Sequence, residues 1–182
     1  MYTQTARLTL RPLRMTDLEE VYGYRKDPEV VRYQSFEPFT REMTSDFMKE
    51  QAGLIFHKAG QWVQIGFALT ETDKLVGDCA VKRFAHEPLI VEIGYTIARE
   101  HQRQGYAREG ISGLLNFLFQ QKQIHKVQAL IDVRNIASIR FVEKLGFQKE
   151  GHFRENYFEN GQWWDEVQYG LLRSAFRLGS SG

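Results

Sequence analysis

Residues 102–107 read Gln-Arg-Gln-Gly-Tyr-Ala, after an apolar strand pattern over 89–97 and at the start of an amphipathic helix. A turn that opens a helix leaves N–H groups without intrahelical partners, and the helix dipole favours an anion beside them. Gly105 and the small Ala107 let a ligand approach the backbone closely. Arg99, Arg103 and Arg108 crowd the same segment, opposed locally only by Glu100. Gln102, Arg103, Gln104, Gly105, Tyr106, Ala107 and Arg108 therefore form a candidate pyrophosphate site. Asn135 and Ser138 make a second polar pair at the start of a later helix. Capping alone accounts for Asn135, and a solvent-facing or backbone-bonded hydroxyl accounts for Ser138; a ligand contact is the alternative for both.

A third group of candidates lies near the C-terminus. Asn160-Gly161 is the strongest hairpin signal in the chain and joins strands near 152–159 and 162–172. Counting outward from a two-residue turn sets Glu159 against Gln162 and Glu155 against Glu166. Like charges across a ladder repel, so one carboxyl of that pair would keep its proton and serve as acid or base, unless a bulge or Arg154 relieves the clash. Phe153, Tyr157, Phe158, Trp163 and Trp164 stand among these acids and Asp165. Such a set suits a cationic amine, or else stabilises the hairpin by cross-strand packing.

The elements that must position these groups follow from periodicity. Alternation predicts strands over 7–14, 62–69, 75–84, 89–97 and 127–133. Thr16 with Glu19 reads as a capping box opening a helix toward Lys26, which Asp27-Pro28 stops. A second helix is expected over 43–58, with Phe47, Leu54 and Ile55 among its apolar positions. Ala107, Ile111, Leu114, Leu115 and Leu118 share one face of the helix after the loop, and Gly146 ends the helix that Asn135 caps. Gly94, inside a strand, marks a bulge or a close backbone approach. With no repeat and no linker, 1–178 reads as a single domain and 179–182 as a flexible tail.

The chain has 182 residues, enough to bury about 70% of its unfolded surface. A net charge of +1 exerts no general pull toward nucleic acid or membrane. The single cysteine, Cys79, lies in an apolar run and excludes a disulfide framework or a zinc cluster of the usual spacing; no metal is expected. No apolar stretch approaches the ~20 residues of a membrane span, and the first residues lack a signal-peptide core, so a cytoplasmic location is expected. A Rossmann reading fails, because 102–107 lacks the Gly-x-Gly-x-x-Gly spacing.

Gln102-x-x-Gly105-x-Ala107 follows Val-Glu-Ile-Gly-Tyr-Thr-Ile over 91–97. It precedes Asn135-x-x-Ser138, then Glu143-Lys144-Leu145-Gly146-Phe147, then Glu150-Gly151. This series resembles the acyl-coenzyme A loop and flanking motifs of the GNAT superfamily of N-acetyltransferases. Its order and spacing are similar to the RimJ/RimL branch, the ribosomal-protein N-terminal type, from about Thr9 to Leu172. The resemblance implies an α/β (α+β) fold. Its mixed sheet would have about seven strands with flanking helices, and a splayed central strand pair would expose main chain to pantetheine and thioester.

By the same resemblance, Tyr95, Thr96 and Ile97 offer that main chain, and Asn135 joins the contacts to the coenzyme or acceptor. The Ser138 hydroxyl faces the departing sulfur as proton donor. Many relatives use a tyrosine just before the Glu-Lys-Leu-Gly-Phe string; here Val142 stands there. Glu92, on one strand face with Gly94 and Thr96, is the candidate base through one or two waters, or else the partner of a Lys or Arg on a neighbouring strand. Position 103 is commonly glycine in the superfamily. An arginine argues against a left-handed backbone there, and its side chain covers a coenzyme phosphate or points to solvent.

The implied reaction moves acetyl directly from acetyl-coenzyme A to a primary amine, with no acyl-enzyme. A protein α-amine is roughly a tenth neutral at pH 7, a lysine amine only a few parts in ten thousand. Modest machinery therefore fits an N-terminal α-amine, the acceptor the branch implies. A small amine (polyamine, aminoglycoside or amino acid) is the alternative, and a non-catalytic acyl-coenzyme A-binding module a third reading. The oligomeric state is left open.

Overall fold

Strand alternation and short turns build a single sheet in the computed structural model, which describes residues 1–56, 59–159 and 161–177. Its strands are β1 (Thr3–Gln4), β2 (Leu8–Pro12), β3 (Trp62–Leu69), β4 (Leu75–Arg83), β5 (Ile90–Ile97), β6 (Lys126–Asp132), β7 (Gln148–Glu159) and β8 (Gln162–Leu172). The helices are α1 (Leu18–Arg25), α2 (Pro28–Val31), α3 (Arg41–Gln51), α4 (Tyr106–Asn116) and α5 (Ile136–Lys144). The sheet order is β1-β2-β3-β4-β5-β6-β8-β7, eight strands where the sequence predicts about seven. The added strand is β1, whose two residues are too few to carry an alternation; Thr3 and Gln4 pair with Leu10 and Thr9.

All neighbours are antiparallel except β5 and β6. A parallel pair needs a crossover, and α4 supplies it. Ile111, Leu114, Leu115 and Leu118 of that crossover are buried against Leu8, Leu10, Ile65, Phe67, Val91 and Ile93. On the opposite face, Val21, Tyr24 and Met48 of α1 and α3 pack on Leu13, Ala68, Leu75 and Ala98. Phe67 and Ala68, adjacent in β3, serve the two cores in turn, as strand alternation requires.

Several elements depart from the sequence reading. The first helix is opened by a 3-10 turn over Met15–Asp17, and the capping carboxylate is Asp17, which accepts from the Arg14 N–H at 2.7 Å; Thr16 does not cap it. Pro28 ends one helix and starts another: Asp27 Oδ1 accepts from Glu29 N–H, and Pro28 takes the first position of α2, where its missing N–H costs nothing. The helix expected over 43–58 is α3, which stops at Gln51, with Gly53 left-handed at φ 82° beyond it. Leu54 and Ile55 fall after it, and position 58 lies outside the described residues, as do Asn160 of the hairpin turn and the tail 179–182.

The hairpin register begins as expected, with Glu159 opposite Gln162. It then shifts between Phe153 and Tyr157, where Glu155 is left-handed at φ 48° and its N–H donates to Asp165 Oδ1 at 2.9 Å. Glu166 consequently faces Phe153, and the Glu155–Glu166 pair does not form. A bulge separates the two acids, as repulsion between them favours.

Candidate active site

The β5–β6 ladder lasts only from Ile90↔Lys126 to Glu92↔Gln128. Beyond it β5 stays paired to β4 as far as Ile97, and β6 to β8 as far as Asp132, so each strand keeps its other neighbour while the two part. A cleft of about 600 Å³ opens between them, walled by Ile93–Ile97 and by Ala129, Leu130, Ile131 and Asp132. Gly94 lies on this wall, and a Cβ added there meets no atom within 4 Å. Neither packing nor backbone conformation requires that glycine, and it leaves this stretch of the wall bare.

The loop enters at one end. The N–H groups of residues 103 to 108 find no acceptor among the described residues. Arg103 and Gly105 are both left-handed, at φ 59° and 84°. The conformation at 103 overturns the expectation from its side chain. Left-handed residues curl neighbouring N–H groups into an anion-binding concavity, which offsets the cost of about 1 kcal/mol for a residue bearing a Cβ. Arg103 and Arg108 take no ion pair among the described residues, whereas Arg99 is 3.7 Å from Asp27. Gln102 turns its amide back to Ile97 O at 3.1 Å.

A residue from the far end of the chain clamps this loop. Arg7 donates to Gln104 O at 3.2 Å, pairs with Glu109 at 2.7 Å and lies 4.4 Å over the Tyr106 ring. Burial pushes the Glu109 carboxyl up, but hydrogen bonds from Thr5 and Arg7 outweigh it and hold it below its ordinary range. In the sequence Arg7 reads only as the polar face of a strand.

Asn135 caps α5, its Oδ1 accepting from Ser138 N–H at 3.1 Å, and both residues line the cleft. Tyr95 lines it from β5: its hydroxyl donates to Ser138 Oγ at 3.3 Å and its ring packs on Phe141 at 4.9 Å. Gln34, from the stretch after α2, donates to Tyr95 O at 3.2 Å and to Thr96 Oγ1 at 3.3 Å. That stretch is anchored by Arg25, which donates to Asp78 at 3.0 Å and is enclosed by Phe36, Phe39 and Phe47. Neither the Gln34 contact nor the Tyr95 hydroxyl has any signal in local sequence.

Glu92 faces Lys82 across the ladder, 3.5 Å between charged atoms, and is absent from the cleft lining; the structure gives it the ion-pair arrangement. Glu29 and Asp132 do line the cleft. The acidic and aromatic hairpin already holds a cation, Arg134. Its guanidinium lies 3.4 Å over Trp164 and donates to Asp132, to Tyr157 Oη at 2.8 Å and to Glu159 at 3.1 Å. Burial raises the Asp132 carboxyl, yet bonds from Arg134 and Tyr157 bring it below its ordinary range. Glu166, opposite Asp132, is pushed up by burial and by the charges of Asp132 and Glu92, with the Asn156 amide partly offsetting this.

The sheet, the split after Glu92 and the loop of free N–H groups match a known pattern. The family model for the Acetyltransferase (GNAT) domain matches residues 7–148. The chain belongs to the GNAT acetyltransferase family. As a GNAT enzyme it is an acetyl-coenzyme A-dependent N-acetyltransferase. Uncharacterized N-acetyltransferase p20 of Bacillus licheniformis is 30% identical over 172 residues, covering 94% of this chain and 96% of that protein. The crystal structure of a GNAT-family acetyltransferase from Bacillus anthracis gives a TM-score of 0.85 at 28% identity, over 96% of this chain and 99% of that one. The structure of spermidine N-acetyltransferase from Vibrio cholerae in complex with CoA and spermine gives 0.78 at 25% identity, over 92% and 96%. The residues present fit the GNAT co-substrate: unpaired N–H donors and two unpaired arginines suit its phosphates, and the bare backbone at Gly94 leaves room beside the split.

Proposed function

We propose that this GNAT enzyme acetylates a primary amine of a small cationic acceptor of the polyamine class. Its likeness, along nearly the whole chain, to a spermidine N-acetyltransferase bound to CoA and spermine carries this reading. The charge of the cleft agrees with it, since Glu29 lines the wall and takes no ion pair among the described residues. That carboxylate holds a distal ammonium group of a polyamine while one terminal amine reacts.

In this reading the N–H groups of 103 to 108, with Arg103 and Arg108, hold the pyrophosphate. The main chain of Tyr95 to Ile97 lies along the pantetheine, and Asn135 and Ser138 border the thioester. Ser138 donates a proton to the departing sulfur. Water carries away the amine proton, because Glu92 is engaged by Lys82 and Asp132 by Arg134.

A protein N-terminus is the second reading, favoured by the RimJ/RimL-like order of motifs with Val142 in place of the helix tyrosine. One assay separates them: thiol release from acetyl-coenzyme A with spermidine, spermine, N-terminal peptides, lysine and aminoglycosides. The expected outcome is the highest kcat/KM on a polyamine. It should rise about tenfold per pH unit between 7 and 9, as an amine near 10.4 requires. Turnover confined to peptides, levelling near pH 8, would overturn the polyamine assignment.

A further inference from the structure

We infer that Tyr95 works with Ser138 as a hydroxyl pair. The phenol donates to the serine oxygen, so that the proton of the serine is left for the coenzyme sulfur. The inference rests on the reading of Ser138 as proton donor and deepens it. Tyr95 acts through Ser138 and is therefore a positioning residue.

The geometry carries this. A serine in the first turn of a helix commonly turns its O–H to a nearby backbone carbonyl. Among the described residues Ser138 Oγ has no such bond; its partner is Tyr95 Oη at 3.3 Å, with the tyrosine as donor. The two hydroxyls come from different elements, β5 at the split and α5, and both line the cleft. Each is held. The Ser138 N–H is tied to Asn135 Oδ1 at 3.1 Å, and the Tyr95 ring rests on Phe141, one helical turn after Ser138, at 4.9 Å. Burial pushes the phenol up to about 12, so it remains a donor throughout the neutral range. Val142 is buried and apolar, so no phenol comes from that helix position. The strand supplies one instead.

The proton balance is closed. The neutral amine attacks the thioester carbonyl, and collapse of the adduct breaks the C–S bond with its electron pair going to sulfur. Sulfur takes the Ser138 proton, Ser138 takes the Tyr95 proton, and the phenolate recovers one from the water that received the amine proton.

Tyr95→Phe tests this, because it keeps the ring against Phe141 and removes only the hydroxyl. The first readout needs no amine: titration of the thiol of bound coenzyme A, followed by thiolate absorbance. Donors aimed at sulfur favour the thiolate, so in the wild type the bound thiol should titrate about one unit below that of free coenzyme A measured alongside, and closer to the free value in Tyr95→Phe. The second readout is steady-state kinetics with the best amine. Tyr95→Phe should lower kcat roughly tenfold with KM for acetyl-coenzyme A unchanged, and should cost nothing further in a Ser138→Ala background. A titration identical in wild type and variant, or losses that multiply in the double variant, would overturn the pair. Because the titration uses coenzyme A alone, it stands even where no polyamine is acetylated, which would sink only the acceptor assignment.

Discussion

Gly94 in the cleft wall and Glu166 on β8 show how single positions in this enzyme are set by their surroundings. At Gly94 the added Cβ has open space around it, unlike Gly77, where it would meet Thr96 O at 2.2 Å. Gly94→Val should therefore leave stability within about 0.5 kcal/mol, as at other unstrained sites, while its branches fill the split. Thermal melts should match the wild type and kcat/KM for the amine should fall at least tenfold; an unchanged kcat/KM would show that neither substrate lies against Gly94. Glu166 has its carboxyl raised in the folded state, first by burial and then by Asp132 and Glu92. The sign follows: folding favours its protonated form, so ionisation costs stability once pH passes the unfolded value near 4.3 and the raised folded value. Glu166→Gln removes that cost and keeps an oxygen for Asn156. Its melting temperature should exceed the wild type at pH 7, with the difference vanishing below about pH 4.

At the level of elements, α5 and the hairpin are joined through one guanidinium. Arg134 directly precedes Asn135, and its bonds to Asp132, Tyr157 and Glu159 tie the start of α5 to both β6 and β7. Asp132 has 2% of its side chain exposed, so removing the guanidinium strands a buried charge. Arg134→Ala should cost about 3 kcal/mol in denaturant unfolding, the lower end for a broken buried pair because Tyr157 still donates. It should also lower kcat more than KM for acetyl-coenzyme A, since Ser138 loses its fixed position. The pair also sets an acid limit. The Asp132 carboxyl is depressed on folding, so its contribution is full above the unfolded value near 3.9 and is lost as pH falls through the folded one. Arg134→Ala should flatten that part of the acid unfolding curve. The first pairs of the hairpin and the cap at Asn135 were both legible in the sequence, yet the occupant of the acidic and aromatic end was not. Residue types announce a cation cage; only the fold says that Arg134 fills it.

Across the whole molecule, the loop proposed to hold the coenzyme is tied to a residue near the start of the chain. Arg7 reaches Glu109 and Gln104 over about a hundred positions, through the placing of β1 and β2 beside α4. Arg7 is 47% exposed, so its ion pair adds little to global stability, about 0.5 kcal/mol. Its effect should appear in binding: Arg7→Ala should raise KM for acetyl-coenzyme A several-fold at an almost unchanged melting temperature, and an unchanged KM would show that the loop holds its shape unaided. Two cores pack the sheet on its two faces. One binds α4 to the sheet beside the split, and the other binds α1 and α3 to the opposite face over β3 and β4.

Local periodicity by itself determined most of the elements: β3 over Trp62–Leu69, the apolar face of α4, the cap at Asn135 and the first pairs of the hairpin. Those features rest on neighbours a few residues apart, where the spacing of apolar side chains and turn residues sets the energy. The motifs around the loop also resemble those of the family, and the unpaired N–H groups that suit a phosphate at a helix start are a local property. Tertiary structure alone decided what meets across the cleft. It turned Glu92 toward Lys82, moved Glu155 away from Glu166 by a bulge, made Arg103 left-handed and set the Tyr95 hydroxyl on Ser138. Each of these outcomes depends on register and on partners tens of residues distant, and a charge or hydroxyl takes whichever partner the packed sheet and helices bring within reach.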